Sequence, residues 1–162
     1  MWFRRMIRAV ILLKNYFIGT TKDLDVVSVI HEIRRTILEA NVPDGVATVT
    51  VPAPGGAVTI IEPLPDIVEK LKEALRIFPG EGVDTKNRRK EEVPVWPRIA
   101  AAMLGKSLQV PFAGGKLALG PREEVVLIDF EMTARRREFF VQIIGEAPPP
   151  GQPQRGAVPK KK

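Results

Sequence analysis

The chain contains no cysteine, a single histidine, His31, and no charge-free apolar run of 18 or more residues. The absence of cysteine excludes disulfides and thiolate chemistry. The lack of a long apolar run predicts that no segment spans a membrane. The first residues also lack the charge order and cleavage site of a signal peptide, so we expect a soluble, cytoplasmic protein.

Several kinds of site are also missing. The pair Gly114-Gly115 precedes a strand-like run, whereas a phosphate-binding loop needs a helix N-terminus directly after its glycines. A metal site or catalytic triad built on one histidine needs carboxylate partners that the sequence cannot place, so we interpret His31 as a partly exposed structural residue. The sequence predicts no metal site and identifies no cofactor.

The length and charge distribution predict one domain with a tail. A chain of 162 residues with 44% hydrophobic residues can build one core of ordinary size. Of the net charge of +6, four positive charges lie in residues 147–162, which are proline-rich and contain no acid. We therefore predict a single domain over residues 1–146 and a disordered basic tail over residues 147–162. Sparse Asn, Gln, His and Met with abundant Pro are compatible with a thermophilic source.

Periodic apolar residues predict three helices. The apolar stripe of the first is Val26, Val29, Ile30, Ile33 and Ile37. Asp23 or Asp25 caps its start, and Asn41 follows its end. A second helix is expected over residues 66–78, and a short third helix over residues 98–104.

Runs of β-branched and alternating apolar residues predict strands. They cover residues 6–14, 46–51, 57–61, 107–112, 116–119, 123–131 and 136–144. The last four follow one another closely and predict an antiparallel meander. The charged, non-periodic residues 81–95 predict a long exposed loop. Helices between mostly antiparallel strands favour an α+β fold with sandwich-like sheets and two or three helices.

Eight blocks of sequence occur in a characteristic order. They are Asp25 to Arg35, Val42-Pro43-Asp44-Gly45, Val49-Thr50-Val51-Pro52, Ala57-Val58-Thr59-Ile60-x-Glu62, Leu104-Gly105-x-Ser107-Leu108-x-Val110-Pro111, Gly115-Lys116-Leu117-Ala118-Leu119-Gly120, Arg135-x-Arg137 and Val141-Gln142-Ile143-Ile144-Gly145-Glu146. Over residues 20–146, their order and spacing resemble the YjbQ-like family of small, mostly uncharacterised proteins. A secondary thiamine-phosphate synthase activity is claimed for some members. The resemblance implies a compact α+β homotrimer with a pocket near subunit contacts.

The resemblance also implies three histidines that this chain lacks. The family's His-Thr-Thr-Ala run falls on residues 53–56, which read Ala-Pro-Gly-Gly here. A second family histidine falls on Arg98, and a third falls near residues 84–88, where no histidine occurs. The family's Gly-Thr-Trp-Gln motif falls on residues 120–123, which read Gly-Pro-Arg-Glu. Because arginine stays charged and neither binds metals nor shuttles protons well near pH 7, histidine chemistry cannot be carried over.

Our leading hypothesis is therefore a homotrimer without the family's catalytic site, acting as a binding or structural protein. An alternative is a remodelled enzyme, in which Glu62 or Asp66 is the base and Arg98 or Arg122 binds a phosphorylated small molecule. The competing interpretation makes Asp66 a helix cap, Glu62 a solvated residue at a strand end, and the two arginines surface partners of nearby acids.

A second alternative is a weak nucleic-acid binder that uses the tail and the basic residues 86–90. The cluster Arg135 to Arg137 is also basic, but no aromatic residues that stack bases are interleaved with it. We interpret the basic stretch as a solvated loop and the arginine cluster as a tight turn, so nucleic acid is the less favoured partner. Trp96 is expected to serve packing or a subunit contact rather than to bind a ligand.

Overall fold

The computed structural model describes residues 8–77, 84–86 and 89–148. Within these ranges the elements are β1 (Ala9–Thr20), β2 (Asp25–Ser28), α1 (Ile30–Ala40), β3 (Gly45–Thr50), β4 (Gly56–Ile61), α2 (Pro65–Ile77), β5 (Asp84–Lys86), β6 (Glu92–Pro94), α3 (Trp96–Leu104), β7 (Ser107–Ala113), β8 (Lys116–Leu117), β9 (Glu124–Asp129) and β10 (Arg135–Glu146). The strand pairs are antiparallel, which confirms the predicted α+β class. No helix in these ranges is long and apolar enough to cross a membrane.

The strands form two main sheets that are joined by a shared core. The larger sheet has the order β1-β10-β3-β7-β8, and the smaller has the order β2-β9-β4. Strands β5 and β6 form a separate two-stranded sheet. In the larger sheet, Ile144 lies between Ile11 of β1 and Val46 of β3. Strand β1, which is 12 residues long, stands at one end of this order and is therefore an edge strand.

The first core lies between the inner face of the larger sheet, α1 and one face of the smaller sheet. Helix α1 contributes Ile30, Ile33 and Ile37, whose spacing places them on one side of the helix. The buried strand residues are Ala47, Val49, Val58, Val110, Phe112, Val125, Leu127, Phe139, Val141 and Ile143. Because side chains alternate across a strand, each strand of the larger sheet leaves every second residue on the outer face.

The second core lies on the other side of the smaller sheet. Val126 and Ile128 of β9 point into it, whereas Val125 and Leu127 point into the first core. Strand β9 is therefore buried on both faces. The helical residues that cover the second core are Leu71 and Leu75 of α2 and Trp96, Ala100, Ala101 and Leu104 of α3.

Helix α3 begins two residues before its predicted start, because Trp96 and Pro97 form its first turn. Trp96 packs edge-to-face against Phe130, with 6.0 Å between the ring centroids, which confirms its predicted packing role. The helix ends as predicted at Gly105, whose φ of 98° belongs to a backbone region that favours glycine.

Helix α2 agrees with its predicted span within one residue at its start, while Phe78 lies outside the described residues. Leu71 and Leu75 of this helix pack on the second core, whereas Ile67 is exposed. Asp23, in the turn after β1, pairs with Lys72 at 3.4 Å and with Arg76 at 2.6 Å. Two leucines and these surface ion pairs therefore attach the helix.

The prediction for the start of the first helix was wrong. Val26 belongs to strand β2, and α1 begins at Ile30 without a side-chain cap. Asp25 instead accepts a hydrogen bond from the backbone N–H of Thr21 at 2.5 Å, so its carboxylate stabilises the preceding turn. The predicted end is confirmed, since Asn41 adopts the left-handed conformation with φ of 56°.

The predicted end of the first strand at Lys14 was also wrong. Strand β1 continues to Thr20, paired along its whole length with β10. The inward positions Tyr16 and Ile18 continue the alternation and pack against the first core. The predicted start at residue 6 lies outside the described residues.

The predicted meander was wrong because only β7 and β8 are neighbours within it. Strand β9 belongs to the smaller sheet, and β10 returns to the larger sheet between β1 and β3. Residues 135–137 begin β10 and do not form the predicted tight turn. The predicted loop over residues 81–95 contains the β5–β6 pair, whose three-residue strands are too short to show a period in sequence. Of the predicted tail, residues 149–162 lie outside the described residues.

Candidate functional site

Glu62 and Arg122, two of the four candidate site residues, lie next to each other. Glu62 directly follows β4 and Arg122 lies in the turn before β9, and these strands are antiparallel neighbours. Nε of Arg122 lies 3.5 Å from Oε2 of Glu62. The Arg122 side chain is 71% exposed, so water and salt screen the pair and it contributes little to stability. This contact agrees with the interpretation of Arg122 as a surface partner of a nearby acid.

Asp66 and Arg98, the other two candidates, lie in the first turns of α2 and α3. Both residues are exposed. Within the described part of the chain, neither side chain makes a hydrogen bond or an ion pair. Of the four candidates, Glu62 and Arg122 therefore form an ion pair. Neither Asp66 nor Arg98 makes a hydrogen bond or an ion pair with them among the described residues.

The loop between β3 and β4 holds the position at which the resemblance places the family's first histidine. The backbone N–H of Gly56 donates to the carbonyl of Ala53 at 3.1 Å, which closes a tight turn. Gly55 packs so closely that a Cβ there would lie 2.5 Å from Cγ of Glu131. Ala53 itself packs against the first core. At the place of the family's first histidine, this chain therefore has a packed alanine and a tight turn with two glycines instead of an imidazole side chain.

A buried ionic cluster lies beside this loop and consists of Asp129, Glu131 and Arg137. Nε of Arg137 donates to Oδ2 of Asp129 at 2.6 Å, and Oδ1 of Asp129 accepts from the backbone N–H of Glu131 at 3.1 Å. The side chains of Arg137 and Asp129 are only 5% and 1% exposed. Because Asp129 ends β9 and Arg137 belongs to β10, this ion pair links the two sheets.

The guanidinium of Arg137 is not fully satisfied by the ionic cluster. Its Nη2 lies 2.8 Å from Oε2 of Glu131, close enough for an ion pair. The geometry does not make a hydrogen bond, so among the described residues Nη2 is a buried donor without a hydrogen-bond partner. Burial by itself lowers the pKa of Arg137, but its hydrogen bond to Asp129 and the negative charges of Asp129 and Glu131 raise the pKa, and the net shift is upward. Arg137 is therefore a permanently charged buried group.

Sequence analysis did not identify Arg137 as a buried residue. The three arginines 135–137 are chemically identical, and their charge predicts exposure. A signal was present, because Arg137 is in step with the apolar residues Phe139, Val141 and Ile143 at a period of two. In a strand this places all four side chains on the same face.

An open groove of about 300 Å³ lies next to the ionic cluster. We name it the arginine groove, and its lining residues are Pro52, Ala53, Arg135, Arg136, Arg137 and Glu138. Cζ of Arg136 lies 4.6 Å from the centroid of the Phe17 ring, a cation–π contact. Nδ2 of Asn15 donates to Oε1 of Glu138 at 3.1 Å. The lining residues thus include three arginines and one glutamate, and the guanidinium of Arg137 is turned toward Asp129.

The remaining candidates are separate from the groove lining. His31 is exposed on α1. No group of three or more His, Cys, Asp or Glu side chains is placed to hold a metal ion within residues 8–77, 84–86 and 89–148. Of the basic stretch, Lys86 is exposed in β5, and residues 87 and 88 lie outside the described ranges.

Comparison with known sequences finds relatives over nearly all of the described chain. A sequence model of the family described as "UPF0047 protein YjbQ-like" matches residues 14–146. The UPF0047 protein MJ1081 of Methanocaldococcus jannaschii is 28% identical over 137 residues. That alignment covers 83% of this chain and 96% of the relative.

Solved structures share the same fold. A YbjQ-like protein of unknown function from Sulfolobus solfataricus P2 superposes with a TM-score of 0.78 at 16% identity, over 86% of this chain and 100% of that one. An uncharacterised protein of the YjbQ/UPF0047 family from Clostridium acetobutylicum is 26% identical, with a TM-score of 0.72, over 80% of this chain and 98% of that one. The first likeness supports the fold alone. The second supports both the fold and the family.

Proposed function

The chain belongs to the YjbQ-like UPF0047 family, and we propose that it is a homotrimeric binding or structural protein that works without the family's histidine chemistry. The observation that carries this proposal is the outer face of the larger sheet. At β1 and the neighbouring Ile144 of β10 that face is apolar and exposed, and no described element covers it. The number of subunits, three, comes from the family resemblance.

The apolar sheet face consists of Ile11, Leu13, Phe17, Phe140 and Ile144. Ile11, Leu13, Phe17 and Ile144 are exposed large apolar side chains, and the register places Ile11 directly opposite Ile144. The solvated face of an antiparallel sheet is normally polar. A cluster of exposed apolar side chains bordered by polar residues, here Gln142 and Glu138 of β10, is typical of an interface between proteins.

The outer positions of β1 carry no charge to prevent association. They are Ala9, Ile11, Leu13, Asn15, Phe17 and Gly19. Edge strands that remain exposed usually carry charged residues or proline, which block pairing with other chains. Covering the exposed half of each large apolar side chain would contribute roughly 1 kcal/mol. A second copy of the chain is the partner that the family resemblance favours.

The remodelled enzyme receives less support from the geometry. Its proposed base Glu62 and its proposed phosphate ligand Arg122 face each other as an exposed, long ion pair rather than a common ligand site. Asp66 and Arg98 contact neither of them among the described residues. Because His31 is the only histidine in the chain, no imidazole group stands at the family's three histidine positions.

Light scattering after size exclusion tests the assembly. We expect one species with three times the mass of the chain, and a monomer at micromolar concentration would contradict the proposal.

An assay of thiamine-phosphate synthesis tests whether the protein works without the family's histidine chemistry. We expect no product from this protein beside an active relative that retains its histidines, and turnover at the rate of the relative would contradict it.

A further inference from the structure

A row of apolar side chains crosses the outer face of the larger sheet near the end at which β1 begins. We name it the outer row, and it consists of Ile144 of β10, Val46 of β3 and Pro111 of β7. The register places Val46 beside both Ile144 and Pro111. Ile144 and Pro111 are exposed, and Val46 is partly exposed. Since the solvated face of an antiparallel sheet is normally polar, the outer row lacks the side chains expected there.

The next row along the same three strands is polar. It consists of Gln142, Thr48 and Gln109, which are paired in the same way. Side chains of a strand return to the same face at every second residue, so this polar row and the outer row face the same way. The outer row is therefore an apolar strip with a polar border.

The N-terminal segment of the chain starts beside the outer row. Residues 1–7 lie outside the described residues, and they precede the residues that match the family model. The described part begins at Arg8, whose carbonyl accepts a hydrogen bond from the backbone N–H of Ala147 at 2.8 Å. Ala147 follows Ile144 by three residues at the end of β10. The point at which the segment joins the sheet is therefore close to Ile144.

The segment is long enough to cross the sheet. Seven residues span about 23 Å when they are extended. Neighbouring strands are about 4.8 Å apart, so the three spacings from β1 through β10 and β3 to β7 amount to about 14 Å. A segment that leaves β1 at Arg8 can therefore reach Pro111.

The composition of the segment matches the outer row and its surroundings. Five of its seven residues are apolar, namely Met1, Trp2, Phe3, Met6 and Ile7. The other two, Arg4 and Arg5, complement Glu146, which is exposed, in step with Ile144 and without an ion-pair partner among the described residues. The C-terminal residues 149–162 start at the same place but contain no aromatic residue. The N-terminal segment therefore offers more apolar surface.

We propose that residues 1–7 fold back across the outer row of their own chain, with Trp2 and Phe3 on Val46 and Pro111. A segment that is covalently attached beside its site has a high effective concentration there, which favours the same chain over a second copy. The inference goes beyond the proposed assembly and does not depend on the number of subunits. The second copy is proposed to lie along the edge strand β1, whereas the segment lies across β10, β3 and β7.

Trp2 provides the test, because the chain contains only two tryptophans. In a Trp96→Phe background, acrylamide quenching of Trp2 fluorescence is compared between the native and the denatured protein. We expect Trp2 to be shielded in the native protein, and Val46→Lys to abolish the shielding because a charge then interrupts the outer row. Thr48→Lys is the matched control, since Thr48 lies on the same face of β3 in the polar row, and it should keep the shielding.

A second measurement keeps Trp96 and does not depend on the Trp96→Phe variant. Trp2→Ser combined with Phe3→Ser should lower the Tm by about 3 °C or more, because apolar contacts with the outer row are lost. Val46→Lys should lower the Tm less in that background than in the wild type, since the contact is already absent there.

Quenching of native Trp2 as strong as in denaturant would overturn the inference, as would equal loss of shielding in the two lysine variants. Shielding that weakens on dilution would also overturn it, because a second copy would then supply the segment. A trimer with accessible Trp2 would refute only this inference, whereas a monomer with shielded Trp2 would refute only the proposed assembly.

Discussion

Strands β9 and β1 both carry apolar residues on their two faces, but only β9 is covered on both. In β9, Val125 and Leu127 are buried in the first core, and Val126 and Ile128 are buried under α2 and α3. In β1, alternate residues such as Leu12 and Ile18 pack inward, while the residues between them face outward without cover. The apolar residues on the second face of β9 are therefore covered, whereas those on the outer face of β1 are exposed.

This difference is the basis of the proposed assembly. A strand that is apolar on both faces is typical of a sheet that is covered on both sides. The smaller sheet meets that condition within one chain, because α2 and α3 lie across it. The larger sheet meets it only if another molecule covers the apolar sheet face.

Asp129→Asn should have the largest effect, because it weakens the link between the two sheets. It leaves the buried guanidinium of Arg137 without its closest counter-charge, so the free energy of unfolding should fall by about 3 to 5 kcal/mol. Denaturant unfolding provides the measurement. Asp44→Asn is the control, since Asp44 is exposed and an asparagine oxygen can still accept the hydrogen bond from Gly114. Equal losses in the two variants would contradict the role of the buried pair.

Truncating one leucine in each strand sharpens the comparison. Leu127→Ala in β9 should lower the free energy of unfolding by about 2 to 5 kcal/mol, because it leaves a cavity in the first core. Leu13→Ala should cost less than about 1 kcal/mol at concentrations low enough to give monomers, since 57% of that side chain is already exposed.

At higher protein concentration the loss from Leu13→Ala should increase, because association would then contribute to stability. Unfolding curves at several concentrations provide this measurement. A loss from Leu13→Ala that is independent of concentration would count against coverage of β1 by a second copy.

Asp23→Asn should have the smallest effect, because it alters only the surface attachment of α2. The pKa of Asp23 is lowered from its ordinary value of 3.8, first by the backbone N–H of Leu24 and then by Lys72 and Arg76, against an opposing effect of burial. A lowered pKa stabilises the fold above pH 3.8, and this contribution disappears as the pH falls through the folded-state value.

The variant should therefore differ from the wild type at pH 7 by about 0.5 kcal/mol or less, since the pairs are exposed. The difference should vanish at pH values below the folded-state pKa. Hydrogen exchange of the α2 amides, compared with those of α1, should detect the local effect. A difference that grows on acidification would show that the carboxylate does not act as described.

The sequence was sufficient to predict the helix ends at Asn41 and Gly105, because the left-handed or glycine-favouring backbone there depends on local chemistry. It was insufficient to assign strands to sheets. The Pro52–Gly56 loop was expected from its prolines and glycines, but nothing local indicates that β3 and β4 belong to different sheets. The assignment of β3 to the larger sheet and β4 to the smaller sheet depends on contacts with β7, β9 and β10, which are distant in sequence.

In the candidate site too, contacts between residues that are distant in sequence could not be predicted. The cluster Arg135 to Arg137 was interpreted as a tight turn, whereas the phase of Arg137 with Phe139 and Val141 would have indicated a buried strand position. Its partner Asp129 could not be identified from sequence, because the two residues meet only after β9 and β10 have joined different sheets. The pairing of Glu62 with Arg122 likewise follows from the antiparallel register of β4 and β9.

The most direct test of the central claim is the solution mass of two matched variants, Leu13→Glu and Met103→Glu. The two side chains are 57% and 56% exposed, and they lie on the larger sheet and on α3 respectively. A charge in the apolar sheet face should prevent association, so we predict that Leu13→Glu is a monomer while Met103→Glu keeps the mass of the trimer. A trimeric Leu13→Glu, or dissociation of both variants alike, would show that the apolar sheet face is not the subunit interface.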